Sequence, residues 1–176
     1  MPTHLNLRYA EIEALWPAVQ QFQDLATQYG VSDIFSDNGG KVVQVAIATG
    51  LDLVPGRMGA DAQDRMGNQY ELKTIDLSKS TRGFSTNHHL NKGTIAKFRQ
   101  RRFVFCMYDG ITLQEAYLVE AADMEPLFMK WELALASKDH INNPKVPIDF
   151  VRSTGTVMYL KDVAPAWVDG KQAASA

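Results

Sequence analysis

The segment Glu71-Leu72-Lys73 carries the first recognisable chemistry in this sequence. It lies in Gln69 to Ile75, where polar and apolar residues alternate as in a strand, and Met66-Gly67-Asn68 forms the turn before it. Side chains two apart on a strand share a face. Glu71 and Lys73 therefore stand side by side, and Leu72 points the other way, into a core. Asp61 lies ten residues before Glu71, just ahead of a turn. A hairpin there brings its carboxylate back beside Glu71. Neighbouring carboxylates are costly unless a cation lies between them. Hard oxygen ligands with positions left for water suit Mg2+. A lysine beside such a pair holds or deprotonates a water. The set of Asp61, Glu71 and Lys73 thus suits hydrolysis of a phosphodiester, with in-line attack by water, departure of the 3′ oxygen and a 5′-phosphate product. Taken alone, Glu-x-Lys on a strand is more often a solvated face, and spacing does not separate the two readings.

Other chemistries lack their residues. His88 and His89 are adjacent and miss the spacing of a helical zinc motif. There is no Gly-x-Ser-x-Gly elbow. No phosphate loop ends in Gly-Lys-Ser/Thr, and Gly56-Arg57-Met58-Gly59 is too short a glycine signal for a nucleotide site. A nucleotide cofactor is not expected. The single cysteine, Cys106, sits in an apolar run and excludes both a disulfide framework and a cysteine-based zinc site.

The net charge of −2 conceals an asymmetry. Between Lys73 and Arg102 stand Lys73, Lys79, Arg82, Lys92, Lys97, Arg99, Arg101 and Arg102, against the single acid Asp76. That segment is +7 and the rest of the chain −9. A basic middle on an acidic protein suggests a focused anion site such as DNA, while the bland alternative is a solvated basic surface. No stretch is apolar for long enough to cross a membrane. The N-terminal residues lack the regions of a signal peptide, so a soluble, cytoplasmic protein is expected.

The elements that must hold these residues follow from periodicity. Ile12, Leu15, Trp16, Val19, Phe22, Leu25, Ala26 and Tyr29 trace one apolar face of a helix ended by Gly30. Pro17 should kink that helix or mark its start. Its face suits core packing or a dimer interface. Asp37-Asn38-Gly39-Gly40 is a turn, Lys41 to Leu51 a short helix, and Pro55-Gly56 a break. Leu77 to Thr86 reads as a polar loop. Asn91 caps a helix reaching Gln100. Arg102 to Tyr108 reads as a buried strand, Asp109-Gly110 as a turn, and Ala116 to Glu120 as another strand. Met124 to Ser137 is helical, Asp139 to Pro147 a loop, and short strands follow near Phe150 and Tyr159. Val163 to Ala176 has little periodicity and should fray. The mixed order fits an α/β or α+β fold built on one sheet.

Longer motifs carry a resemblance. Asp33 to Lys41, Gly59-Ala60-Asp61-Ala62, Tyr70-Glu71-Leu72-Lys73, Gly83 to His89 and Ile141-Asn142-Asn143-Pro144-Lys145 are similar, in order and nearly in spacing, to the PvuII-type type II restriction endonucleases of the PD-(D/E)xK nuclease superfamily. The resemblance spans roughly Leu15 to Tyr159. It implies a mixed central β-sheet flanked by helices, in a single domain over residues 1–160. Within that domain, about 1–36 form a helical dimerisation region and about 37–160 carry catalysis and DNA recognition, leaving 161–176 as a C-terminal extension. It implies a homodimer that cuts double-stranded DNA at a palindrome, since twofold symmetry mirrors such a site. The expected site is CAGCTG, cut to blunt ends.

By matching positions the resemblance makes Asp61, Glu71 and the Leu72 backbone carbonyl ligands of Mg2+, and Lys73 the catalytic lysine. It assigns His88, His89 and Asn143 to base edges in the major groove, with Ser85, Asn142 and Lys145 assisting. It puts Asp37 near the minor groove. Three positions depart from the family. Phe98 stands in place of a tyrosine near the metal, Met58 in place of a glutamate, and Asn87 in place of a histidine. The core chemistry is expected to survive, slowed. The alternatives are a nicking or repair nuclease of the same broad fold, disfavoured by the DNA-reading motifs, and a DNA-binding protein that has lost catalysis.

Overall fold

The computed structural model describes residues 9–36, 38–54, 59–80 and 82–163. Asp37, Met58, Pro55-Gly56 and the extension from 164 onward lie outside the described residues.

Its centre is the run Arg102–Asp109 (β5), whose interior residues are all buried. A strand covered on both faces has no polar alternation to show, which is why this segment reads as a continuous apolar run. Its residues still divide by the period of two. Phe103, Phe105 and Met107 enter one hydrophobic cluster, while Val104, Cys106 and Tyr108 enter another on the opposite face.

The remaining strands assemble around it. Gln69–Asp76 (β3) pairs with β5 in parallel, Thr112–Val119 (β6) pairs on the other side in antiparallel, and Thr156–Leu160 (β8) closes that edge. The short strands Asp52–Leu53 (β1) and Ala62–Gln63 (β2) add antiparallel pairs beyond β3. The result is a mixed six-stranded sheet in the order β1-β2-β3-β5-β6-β8. Parallel neighbours need a long crossover. Here the crossover from β3 to β5 contains Gly83–Ser85 (β4) and the helix Lys92–Phe98 (α3).

Helices cover the two faces unequally. The helix Gly39–Thr49 (α2) lies over the Val104–Tyr108 side through Val45, and the Tyr108 hydroxyl donates to the Lys41 carbonyl at 2.7 Å. The other face is thicker, with α3, Glu125–Ala134 (α4) and Ile148–Thr154 (α5) contributing Ile95, Phe128, Trp131 and Val151. Asn91 caps α3 as expected, its side chain accepting from Thr94 N–H at 3.0 Å.

The structure corrects several sequence expectations. The polar loop at Leu77 to Thr86 contains β4, and the loop at Asp139 to Pro147 ends in Lys145–Pro147 (β7), which pairs with it in a separate two-stranded sheet. Both strands are three residues long, too short for alternation to be visible. The segment near Phe150 is the helix α5, not a strand. Of the turn expected at Asp37–Gly40, the described residues 38–40 run directly into α2. Asn38 is left-handed (φ 64°), and a Cβ on Gly39 would lie 2.5 Å from the Asp33 carbonyl oxygen, so only glycine fits.

The N-terminal helix Tyr9–Gln28 (α1) begins well before Pro17, so Pro17 is internal and does not mark its start. Gly30 ends it at φ 77°, with Val31 N–H bonded to the Ala26 carbonyl. Its apolar stripe is only half used. Ala26 is buried, but Ile12, Leu15 and Trp16 are 60%, 64% and 54% exposed.

Candidate active site

Asp61 is held by the edge of β3. Its N–H donates to the Tyr70 carbonyl at 3.0 Å, and its Oδ2 accepts the Leu72 N–H at 2.8 Å. The β2–β3 turn that returns it is tied by Asp64, which accepts from Met66 N–H, Asn68 N–H, the Asn68 amide and the Tyr70 hydroxyl. Those bonds, led by the Asn68 amide, hold the Asp64 carboxyl at about 2. With its oxygens committed to the turn, Asp64 shapes the site but is not a free donor in it.

Glu71 and Lys73 point to the face of β3 opposite Leu72, and the Lys73 Nζ lies 2.8 Å from Glu71 Oε1. Leu72 is buried in the α2-side cluster. The expected hairpin, the shared face and the inward Leu72 are therefore all present. The Leu72 carbonyl leaves the strand on the same edge as its N–H, toward Asp61. Burial first, and then the Glu71 carboxylate, raise Asp61 above the ordinary carboxyl range, against the Leu72 N–H, Lys73 and Arg101. The Glu71 contribution to that rise places the two carboxylates close enough to repel each other. A pair of carboxylates with a backbone carbonyl is a hard, oxygen-only donor set, and it fits a small divalent cation that keeps several waters. Among the described residues no group of three acidic, histidine or cysteine side chains converges on one point. Any such ion would thus be held by this sparse set. An open cleft of about 700 Å³ runs past Asp61, Leu72 and Thr74, walled on its far side by Asp33, Ser36 and Asn38.

Phe98 lies beside this corner as its sequence position suggested. Its ring is buried against Phe103, and Lys73 Nζ stands 5.8 Å from its centroid. It offers Lys73 an aromatic face and no hydroxyl.

The β4–β7 pair brings the second set of residues together. Ser85 is in register with Lys145, Leu90 bridges Ile141, and Asn143 N–H donates to the Asn87 carbonyl at 2.9 Å. A Cβ on Gly83 would lie 2.6 Å from the Val146 carbonyl oxygen, so glycine lets the strands close. Ser85 Oγ is reached by both Asn143 Nδ2 (3.3 Å) and Lys145 Nζ (2.5 Å). Asn87 accepts from the His89 N–H at 2.8 Å, which orders the loop carrying His88 and His89. Both histidines and Asn142 are exposed. His89 also packs edge-to-face on His140 at 4.7 Å. Asn143 is left-handed (φ 48°), and its Oδ1 is buried with no partner. Asp37 and Met58 lie outside the described residues, so their expected roles are not located.

The basic segment is less free than its charge suggests. Arg99 makes paired bonds to Glu125 and Glu132, Arg102 pairs with Glu120, and Arg101 pairs with Glu71. Lys73 and Lys79 also have acidic partners. Arg82, Lys92 and Lys97 remain exposed without an ion pair among the described residues. Two contributors went unassigned in the sequence. Arg101 was one cation among many, although three arginines closely following a helix hint at fixed partners. His140 was passed over as a lone loop histidine.

A mixed sheet whose strand β3 carries Glu71 and Lys73, with Asp61 held at its edge and the polar β4–β7 pair beside it, has the architecture and donor set of a restriction-endonuclease-like nuclease. The family model described as restriction endonuclease PvuII matches residues 7–159, and the chain belongs to that family. It is a type II site-specific deoxyribonuclease, acting on DNA.

Proposed function

We propose that this enzyme hydrolyses both strands of a palindromic duplex, CAGCTG, with Mg2+, leaving blunt ends and 5′-phosphates. The observation that carries the cutting half is the Asp61–Glu71–Lys73 corner, in which the Leu72 N–H holds Asp61 at the edge of β3 and Lys73 Nζ lies 2.8 Å from Glu71 Oε1. Asp61, Glu71 and the Leu72 carbonyl would hold the ion. Bound there, Mg2+ would neutralise charge growing on the scissile phosphate. Lys73 Nζ orients the attacking water and holds or takes its proton. Phe98 keeps the lysine end dry on one side, which strengthens its electrostatic contact with Glu71.

Base reading belongs to the β4–β7 pair and its loops. His88, His89 and Asn143 contact base edges, and Ser85, Asn142 and Lys145 support them. Asn pairs bidentately with adenine, and an imidazole N–H donates to guanine. Asp37 couples minor-groove contact to cutting.

The active unit is a homodimer formed through α1. Ile12, Leu15 and Trp16 make a contiguous exposed apolar face, extended by Phe35, which is 73% exposed and stacks on Trp16 at 6.5 Å. Such a patch at the start of the family-matched region supports a self-complementary interface.

One experiment tests the whole proposal. A sequenced genome is digested with Mg2+ and the fragment ends are sequenced. Ends that all fall at the centre of CAGCTG are expected. A different motif would sink the assigned site, staggered ends the geometry, and random ends the recognition role of the β4–β7 pair.

A further inference from the structure

Arg101 is a cation in the corner that the catalytic scheme does not use. It stands immediately before β5, and β5 lies next to β3, so its side chain reaches the neighbouring strand. Its Nη1 donates to Glu71 Oε2 at 2.8 Å and to the Gly59 carbonyl at 2.8 Å. Lys73 takes Glu71 Oε1. Each oxygen of Glu71 thus already faces a cation, and Asp61 Oδ2 is occupied by a backbone N–H. The side chains of Arg101 and Glu71 are only 16% and 12% exposed, so solvent screens the pair poorly.

The charge balance follows directly. Asp61, Glu71, Lys73 and Arg101 sum to zero in the protein alone. A divalent cation entering that cluster adds positive charge with no anion to offset it, and it competes with a guanidinium for Glu71. A DNA phosphate supplies the missing negative charge. It is also the group that a planar guanidinium fork binds best. We propose that Arg101 is a positioning residue that occupies Glu71 in the DNA-free enzyme and transfers to a backbone phosphate of the bound duplex, so that metal loading is coupled to DNA binding. This rests on the metal-dependent reading of the corner. Coupling between two ligands is reciprocal, so duplex should raise metal affinity as much as metal raises duplex affinity.

Calorimetric titration of Mg2+ into DNA-free protein tests it without reference to turnover. Arg101→Met is expected to bind Mg2+ on the order of tenfold more tightly than the wild type, within the usual range of coupling between sites. Arg101→Lys keeps the charge and is expected to stay near the wild type, which separates loss of a cation from loosening of the strand at Gly59. Equal or weaker Mg2+ binding by a folded Arg101→Met protein overturns the proposal and leaves Arg101 a structural tie. A second measurement needs only the wild type, titrated with Ca2+ in the presence and absence of a CAGCTG duplex. A clear gain in Ca2+ affinity with duplex is expected, and no gain overturns the coupling. Binding of neither ion under any condition would remove the metal reading itself, and the role of Arg101 with it.

Discussion

The catalytic corner and the proposed DNA-reading β4–β7 pair solve opposite problems with similar side chains. In the corner every charge has a protein partner. Lys73 and Arg101 share Glu71, and Asp61 is tied to Leu72 N–H. Around the β4–β7 pair the polar groups are ordered by the backbone but left partly unspent. His88, His89 and Asn142 face solvent, and Asn143 Oδ1 has no partner. A cutting site must hold its geometry before substrate arrives, because misplaced groups lose rate steeply. A reading site must keep donors and acceptors available, because bases supply their partners.

Removing one group from each region gives the largest contrast. Lys73→Ala is expected to lower the cleavage rate on the order of 10²–10³-fold, the scale of losing one preorganised charged or donating group. Specific binding, read by gel shift in Ca2+, should change little. Loss of binding along with cutting would make Lys73 a structural residue and blur the division. Asn143→Ala should do the reverse. Affinity for the cognate duplex should fall by about 1–3 kcal/mol, with much less change on random DNA. Equal losses on both would mean that Asn143 shapes the β4–β7 pair through Ser85 and reads nothing.

The two regions also differed in how far the sequence revealed them. Asp61, Glu71 and Lys73 could be read because a strand of period two and one tight turn suffice to bring them together. The β4–β7 pair could not. Ser85 and Lys145 are far apart in the chain, and the strands that pair them are too short to carry a pattern. Only the resemblance joined them, while local polarity made both segments look like loops. The same limit applied to charge. The basic run from Lys73 to Arg102 suggested a focused anion site, yet Arg99, Arg101 and Arg102 are bound by acids from elsewhere in the fold. Helix α5 was missed because its seven residues have too few turns to set an apolar face.

That division among the cations sharpens the comparison further. Lys92 and Lys97 lie on α3, close behind the His89 loop, and have no ion-pair partner among the described residues. Substituting either with alanine is expected to weaken cognate and random DNA alike and to reduce the slope of log affinity against log salt by about 1. Arg99→Ala should leave that slope unchanged and lower the melting temperature, because it unties α3 from Glu125 and Glu132 on α4. A changed salt slope for Arg99→Ala would mean that its ion pairs open when DNA binds.

The smallest effect belongs to the turn that returns Asp61. Asp64 has its carboxyl lowered from 3.8 to about 2, chiefly by the Asn68 side-chain bond. A carboxyl lowered by folding contributes stability that is present above its unfolded value and lost as pH falls through the folded one. The melting temperature of Asp64→Asn should therefore lie below the wild type at neutral pH, and the gap should close as pH drops from about 4 toward 2. Solvent screening at this surface position keeps the gap small. The same substitution also tests how much the corner depends on its turn. If Asp64 only ties the loop, Asp64→Asn slows cleavage slightly at neutral pH with no change in DNA affinity. A loss as severe as that of Lys73→Ala would instead make Asp64 part of the chemistry, and the corner would then hold a third working carboxylate.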